Sequence, residues 1–341
     1  MKDFLKKIIN DKKKDEILKL NAVEIVNRIF DELQERERDI LSRRFALSGH
    51  DSQTLEEIGR LHNLTRERVR QIERASLEKI KKLDSLDKRL ETVRGVVEDI
   101  LDEHGGIMEK DFLLDILSIL TLQVDEKELE SKKKNSKNYF EFILSNLLTD
   151  HIEKVDNSER FSPFYKVKDK AVNYLEDIVD ELKSNILSVK KTMKIDELIE
   201  TVKNSKTFNL YKDKIIKEKN NLDLTSIFKN EIFPEKGETI NSNKPLYSMI
   251  HAVKDINRNK MGHWGHDSWP EVKPKRISDK IYLILNEEGK PMHFTEITEK
   301  INKVGFDHKK ANAGSVHNEL ILDDRYILVD RGIYGLKTWQ K

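Results

Sequence analysis

The chain has 341 residues, of which 37% are hydrophobic, enough for two or more packed domains rather than global disorder. It contains no cysteine, which excludes disulfides and thiolate metal sites and fits a reducing cytoplasm. Its apolar runs fall short of the roughly 18 residues of a membrane span, and its first twenty residues carry acidic side chains throughout, unlike a signal peptide. We therefore expect a cytoplasmic protein that does not enter a membrane.

The net charge of +1 conceals an uneven distribution of charge along the chain. Both ends are basic, whereas residues 89–169 carry 12 basic against 18 acidic side chains. An acidic segment is a poor DNA ligand and a better candidate for contact with protein. With the patterns described below, we divide the chain into an N-terminal lead (1–20), a helix-turn-helix domain (21–88) and three modules (89–169, 170–272 and 273–341).

The sequence from Thr54 onward predicts two helices joined by a short turn. Thr54 and Glu57 have the spacing of a capping box, which begins a helix of about residues 55–61. Gly59 would let another helix approach closely, and Asn63 suits the turn. Three apolar residues at three-residue spacing should face inward: Leu55, Ile58 and Leu61.

The second helix is predicted to begin after the N-cap Thr65 and to continue to about Leu83 without proline or glycine. Its apolar face consists of Val69, Ile72, Ser76, Ile80 and Leu83. Within an arc of roughly 140° on the other side lie Arg66, Glu67, Arg70, Gln71 and Arg74. Arginine can bond guanine, glutamine can bond adenine and glutamate can accept from cytosine, so this face is suited to reading base edges.

The surroundings of that face are basic. Between Arg60 and Lys82 there are eight basic residues and three acidic ones, a balance that attracts phosphates and releases counterions on binding. Taken alone, the pattern is also compatible with a charged, solvated helix packed on a small bundle.

The stretches TLEEIG and LTRERVRQIE lie in a run, about Leu33 to Leu83, that closely resembles region four of the sigma-70 family of bacterial RNA polymerase sigma factors. In that family the module binds the promoter's −35 element and docks on the flap of the polymerase beta subunit. The resemblance implies that Arg66, Glu67, Arg70 and Gln71 contact bases and that Thr54 and Thr65 lie near phosphates. To the phosphate contacts we add Arg60, Arg68, Arg74 and Lys79.

A complete sigma factor also has a large region ahead of this module, with clustered aromatic residues that recognise and melt the −10 element. Here about thirty residues precede the module, and they contain Phe4 and Phe30 but no tryptophan or tyrosine. We therefore expect that the chain is not a whole promoter-opening sigma factor.

The C-terminal segment predicts three helices followed by a β-hairpin, which together describe a winged helix. The first helix, about Lys280 to Glu287, ends near Gly289, and apolar spacing predicts the second and third. RYILVDRGIYGL then alternates apolar and polar residues around a glycine turn. With the GKPM turn at Gly289, FTEI, VHNEL and GIYGL ahead of Trp339, residues 276–339 resemble the HARE-HTH winged-helix family, which includes the N-terminal domain of the RNA polymerase delta subunit.

Short internal repeats predict two further modules of the same kind. Leu101, Gly105 and Met108 match Leu285, Gly289 and Met292 at a constant offset in the sequence. A third, similar segment runs from Met193 to Leu198. The repeat requires β-hairpins near residues 152–167 and 256–266. The alternative is a set of unrelated small helical domains that share common turn chemistry. Predicted loops or linkers are 131–138, 234–245 and 269–275.

Other candidate sites carry little weight. His251, His263 and His266 have some of the spacing of a zinc site but lack cysteine partners. Trp264 and Trp269 are better explained as core anchors than as a base-stacking platform. Glu271 with Asp255 has a nuclease-like spacing, but flanking prolines disfavour the central strand that such carboxylates need.

The sequence thus predicts a mainly α-helical protein with a helix-turn-helix domain followed by tandem winged-helix (α+β) modules. We expect a non-enzymatic transcription factor that binds double-stranded promoter DNA and RNA polymerase, with no cofactor, metal or small-molecule substrate. The alternatives are a polymerase-binding adaptor with incidental DNA contact and a DNA-cleaving enzyme.

Overall fold

The computed structural model describes residues 19–49, 51–121, 129–216, 222–230 and 232–340. Phe4 and nearly all of the predicted N-terminal lead therefore lie outside the described residues. The described residues form two compact units, one within Met1–Asp180 and Val202–Lys254, the other within Glu181–Thr201 and Asp255–Lys341.

Within the described residues, the first unit begins with five helices. They are α1 (Ala22–Phe30), α2 (Glu35–Arg44), α3 (Leu55–His62), α4 (Arg66–Lys81) and α5 (Leu86–Glu103). The predicted pair of helices is thus confirmed as α3 and α4. Buried apolar residues of α2, α3 and α4 pack in one small core that contains Ile40, Ile58 and Val69.

The first three-stranded sheet also belongs to this unit. Its elements are β1 (Ile107–Glu109), α6 (Lys110–Thr121), α7 (Leu129–Phe142), a π-helical turn (Ile143–Leu147), β2 (Ile152–Val155) and β3 (Phe164–Val167). Further along the chain come α8 (Tyr174–Val189), β4 (Met193–Lys194), α9 (Ile195–Lys203), α10 (Lys206–Ile215), α11 (Thr225–Phe228), α12 (Gly237–Ser242) and α13 (Lys244–Ala252).

The second unit contains two more sheets. β4 pairs with the hairpin of β5 (Ile256–Arg258) and β6 (His263–His266). The last segment has α14 (Ile277–Glu288), β7 (Met292–His293), α15 (Phe294–Val304), α16 (Ala313–Leu322), β8 (Tyr326–Asp330), β9 (Ile333–Leu336) and a final 3-10 turn (Lys337–Trp339). Three helices and a hairpin were predicted for this segment, and all are present. Gly289 ends α14 in the left-handed conformation, with φ of 64°.

The three sheets share one topology. Their antiparallel strand orders are β1-β3-β2, β4-β6-β5 and β7-β9-β8, so that the last strand in sequence is always central. In each sheet a methionine of the first strand is paired with an aromatic residue of the central strand: Met108 with Tyr165, Met193 with Trp264 and Met292 with Tyr334. All three aromatic side chains are buried. The β-hairpins that the repeat requires are therefore present in both predicted places.

The structure corrects one predicted loop and part of another. Residues 131–138 (SKKKNSKN) lie within α7, although their composition indicated a linker. The C-terminal part of this helix packs on α1, where Phe142 contacts Phe30, and this tertiary contact outweighs weak local propensity. Residues 234–245 contain α12 and the start of α13, with Pro245 in the first turn of α13, a position that tolerates proline. Residues 269–275 lack helix and strand, as predicted.

The two tryptophans of the second hairpin have structural roles. Trp264 is buried, and Trp269 packs against Gly265, so both are anchors of the second hairpin. Among the described residues no group of three or more His, Cys, Asp or Glu side chains is arranged to hold a metal ion. In the same residues no helix is both long and apolar enough to cross a membrane.

Candidate nucleic-acid interface

The start of α3 is fixed by the predicted capping box. The Thr54 backbone N–H donates to Glu57 Oε2 at 2.7 Å, and the Glu57 N–H donates to Thr54 Oγ1 at 3.2 Å. The bonds from Thr54 lower the pKa of the Glu57 carboxyl, since they stabilise its charged form. The threonine hydroxyl therefore has a structural role in the free protein, whatever it does on DNA.

The turn between α3 and α4 depends on two residues with special backbone requirements. Asn63 ends α3 in the left-handed conformation, with φ of 53°, which asparagine tolerates better than most residues. Gly59 lies under the turn, where an added Cβ would be 2.7 Å from the Leu64 carbonyl oxygen. Any side chain at Gly59 would push the two helices apart.

A small core holds the two helices to α2. Ile40, Ile58 and Val69 are fully buried, with Leu55, Leu64 and Ile72 packed around them. The prediction that Leu61 faces inward is wrong, because its side chain is 57% exposed. Steps of three residues rotate by 300°, so the position drifts off the buried face after two steps, and His62 takes the inner place instead. His62 Nε2 lies 2.7 Å from Asp39 Oδ2 of α2.

α4 begins after Thr65, whose hydroxyl accepts from the Arg68 N–H at 3.2 Å, as predicted. Its inner face buries Val69, Ser76 and Ile80. On its outer face the four residues assigned to base contacts are all exposed: Arg66, Glu67, Arg70 and Gln71. We call these four residues the reading face.

Members of the reading face are hydrogen-bonded to neighbours on the same helix. Arg70 donates to both carboxylate oxygens of Glu67, at 2.8 and 2.6 Å, and Arg68 donates to Gln71 at 3.2 Å. The bond from Arg70 lowers the pKa of Glu67, so this carboxyl stays ionised at neutral pH. These contacts order the exposed side chains. Replacing them by contacts with another partner costs little free energy, because exposed ion pairs are weak.

The residues assigned to phosphates lie on both helices of the pair and at their N-caps. All six are exposed: Thr54, Thr65, Arg60, Arg68, Arg74 and Lys79. Arg60 on α3 pairs with Glu56 at 2.5 Å, and Arg74 pairs with Glu78 at 3.0 Å. Lys79 lies about half a turn around the helix from Arg70, and at 3.4 Å it contacts Glu37 of α2.

A groove opens between α1, α2 and α3, with a volume of about 970 Å³. Phe30 and the exposed Leu61 give it an apolar part, and charged residues that include Asp31, Glu35, Arg36 and Arg38 line the rest. Asp39 also lines the groove. Burial opposes ionisation of Asp39, but its hydrogen bonds to Arg43 and His62 outweigh that effect and lower its pKa. The mixed lining suits a protein segment with both apolar and charged side chains.

Sequence reasoning missed the contact between this domain and the first sheet-bearing module. On α7, Tyr139 Oη accepts from the Ser48 N–H at 3.1 Å, and Asn138 donates to the Ala46 carbonyl at 2.8 Å. Phe142 packs on Phe45, with ring centroids 5.0 Å apart. These contacts hold the loop between α2 and α3 in place. The helix-turn-helix therefore packs against α7 and is not joined to it by a flexible linker alone.

Comparison with known proteins identifies this part of the chain. Residues 29–82 match the family model for Sigma-70, region 4. They form a sigma-like DNA-binding domain. The RNA polymerase sigma factor SigA of Nostoc sp. is 43% identical over 67 residues, and those of Microcystis aeruginosa and Synechocystis sp. are each 45% identical over 67 residues. The match covers 20% of this chain and only 16–17% of those sigma factors. No solved structure matches the chain.

Proposed function

We propose that this protein is a transcription factor that reads a −35-like promoter element through α4 and contacts bacterial RNA polymerase to regulate initiation. It works where promoter DNA is found, in the cytoplasm. The observation that carries the proposal is the exposure of the whole reading face within the segment that matches Sigma-70, region 4. Arg66, Arg70 and Gln71 supply donors, and Glu67 supplies an acceptor, to base edges in the major groove.

Phosphate contacts supply most of the affinity in this proposal. Arg60, Arg68, Arg74 and Lys79 carry the charges, and the N-caps Thr54 and Thr65 place helix N-termini toward the DNA backbone. The present partners of the basic side chains are exposed carboxylates, which a phosphate can replace. Binding should therefore weaken steeply as salt concentration rises.

The polymerase contact is assigned to the groove between α1, α2 and α3. Its support is the exposed Leu61 in the groove lining, which leaves apolar surface open among charged side chains. The similar proteins described above are RNA polymerase sigma factors. We assign the flap of the beta subunit as the occupant, as the resemblance implies.

We further propose that residues 89–169, 170–272 and 273–341 are winged-helix modules and that the last belongs to the HARE-HTH family. Three sheets of identical strand order, each with its methionine–aromatic pair, support this assignment. The modules would extend the contacts of the protein with polymerase or with further DNA.

Selection of bound fragments from random double-stranded DNA tests the main proposal, because it measures binding, specificity and motif together. We expect an enriched motif that resembles a −35 element, and we expect the Arg66→Ala/Gln71→Ala variant to lose it. The Lys82→Ala variant, which changes an exposed lysine outside the assigned contacts, serves as the control and should retain the motif. Recovery of DNA without any enriched motif would contradict sequence-specific reading.

The alternative is a polymerase-binding adaptor whose DNA contact is incidental. The open groove favours it, since that surface does not depend on DNA. A pull-down with purified beta flap, set beside a gel shift on −35 DNA, separates the two. The adaptor predicts flap binding that Leu61→Asp abolishes, together with no preference for −35 DNA over scrambled DNA.

A further inference from the structure

The three hairpins, β2–β3, β5–β6 and β8–β9, differ in whether the chain itself covers their tips. At the tip of the first hairpin, Phe161 is buried and forms an antiparallel bridge with Val253. The Ser162 N–H donates to the Ala252 carbonyl at 2.9 Å, and the Lys254 N–H donates to the Arg160 carbonyl at 2.8 Å. Beside this bridge, the Arg160 guanidinium pairs with two carboxylates, Asp180 at 2.8 Å and Glu176 at 3.1 Å.

The second hairpin is covered in a chemically similar way by α14. Met261, at its tip, packs on the apolar cluster that includes Ile281 and Ile284. His263, at the start of β6, places Nε2 at 3.3 Å from Glu287 Oε2. In both hairpins, therefore, an apolar tip residue packs on apolar residues of the same chain, and a basic residue nearby pairs with at least one carboxylate.

The third hairpin has the same two kinds of side chain, but they are exposed. Leu328 is 58% and Val329 is 56% exposed, and Arg331 follows them at the exposed turn. At the end of α16, which contacts β8, Ile321 and Leu322 are 60% and 78% exposed. β8 is also an edge strand, since the order of the sheet is β7-β9-β8. An exposed apolar edge is unfavourable in water unless a partner covers it.

We propose that the tip of the third hairpin, with the end of α16, is a second docking surface for RNA polymerase, where it meets an apolar patch bordered by Asp or Glu side chains. This inference rests on the proposed function, which places the protein on polymerase. DNA is a poor occupant, because its grooves offer little apolar surface to Leu328 and Val329. A second copy is also a poor occupant, because its two surfaces of the required kind, at Val253 and on α14, are filled by its own hairpins.

The test measures binding of the full chain to purified bacterial core RNA polymerase by biolayer interferometry. The Leu328→Ser/Val329→Ser variant removes apolar surface at exposed positions, and Arg331→Glu reverses the charge beside it. The matched control is Leu210→Ser, which changes a leucine on α10 that is 73% exposed. We expect each hairpin variant to weaken binding about tenfold or more, and the control to bind like the wild type.

Gel shifts on −35 DNA and thermal melting accompany each variant and should be unchanged, since the altered residues are exposed and lie in the other unit from the reading face. Equal polymerase binding by hairpin variants and wild type would overturn the inference and leave the proposed function intact. A wild-type chain that is dimeric and becomes monomeric in the hairpin variants would overturn it in favour of a second copy. A wild-type chain that binds neither −35 DNA nor polymerase would overturn the proposed function and this inference with it.

Discussion

Within the reading face, Glu67 and Arg70 have competing partners. In the free protein each holds the other, whereas the proposed complex needs Glu67 for an amino group of a base and Arg70 for guanine. Gln71 has a similar competitor in Arg68. Base reading by these residues therefore replaces contacts within the helix by contacts with bases. It favours only DNA sequences that offer a new partner to both the carboxylate and the guanidinium group.

Gln71→Ala should relax the preference at one base position. Its amide can bond one base bidentately, and loss of such a pair removes about 1–3 kcal/mol of discrimination. Competition gel shifts with probes that differ at single positions measure this loss. Lys79→Ala should instead weaken binding to all probes alike, because a phosphate contact carries no base information. Equal, sequence-independent losses from both variants would contradict the assigned roles.

Gly59→Ala should destabilise the first unit by about 1–3 kcal/mol, a typical cost of overpacking. The added Cβ would lie 2.7 Å from the Leu64 carbonyl oxygen, which the backbone of the turn holds in place. Urea unfolding measures the change. Gly314→Ala is the control, because its Cβ would meet only the side-chain oxygen of Asn312, at 3.2 Å. If Gly59→Ala were as stable as the wild type, α3 and α4 could not be packed as closely as described.

Single residues whose partners are close in sequence were predictable. Thr54, Thr65 and Asn63 were placed correctly because caps and turns depend on neighbours within three residues. Leu61 was misplaced, because two successive steps of three residues carry a position off the buried face, where His62 lies instead. His104 gave no signal, because the hydroxyl that bonds it belongs to Ser248, which is 144 residues away in the sequence.

Among the elements, α7 shows what a local pattern leaves out. Its run of lysine, asparagine and serine indicated a loop, yet its C-terminal part supports the loop between α2 and α3 through Asn138, Tyr139 and Phe142. The last hairpin was predictable from alternation around a glycine turn and the other two only from short repeats, whereas the strand order of the sheets was not predicted. Whether such a segment is helical, and how strands are ordered in a sheet, depends on contacts between elements that are distant in sequence.

Tyr139→Phe should lower the free energy of unfolding of the first unit by about 1 kcal/mol. The change deletes the hydroxyl that accepts from the Ser48 N–H and leaves the buried ring in place. Chemical denaturation measures the loss, and the gel shift on −35 DNA should weaken as the loop behind α3 becomes less ordered. Tyr211→Phe is the matched control, because that hydroxyl has a long contact of 3.4 Å with an exposed Asp177. Equal stability of the two variants would exclude a supporting role for α7.

For the whole molecule, the separation of charge matters more than the net value of +1. The reading face lies in a basic segment, and the acidic module that follows supports it through α7 without adding positive charge. Such a distribution favours nonspecific attraction to DNA at the two basic ends of the chain and disfavours it at the acidic module. The acidic module is therefore the better candidate for contacts with protein.

The first unit should lose stability in mild acid because of one histidine. His104 is fully buried, and its Nδ1 lies 2.5 Å from Ser248 Oγ. Burial, reinforced by the charge of Lys244, lowers the pKa of His104 from 6.5 to about 3. The folded protein therefore keeps this ring neutral, while the unfolded chain takes up a proton below about pH 6.5.

Because the folded pKa is depressed, the contribution of His104 to stability is fully present above pH 6.5 and is lost progressively as the pH falls toward 3. The loss should reach about 2 kcal/mol by pH 5. Urea unfolding at a series of pH values measures it. His104→Gln cannot titrate and should give a flatter profile than the wild type, whereas His308→Gln, at an exposed position, should give the wild-type slope. Parallel profiles for wild type and His104→Gln would mean that other groups cause the acid sensitivity, and that this buried ring is not held neutral by the fold.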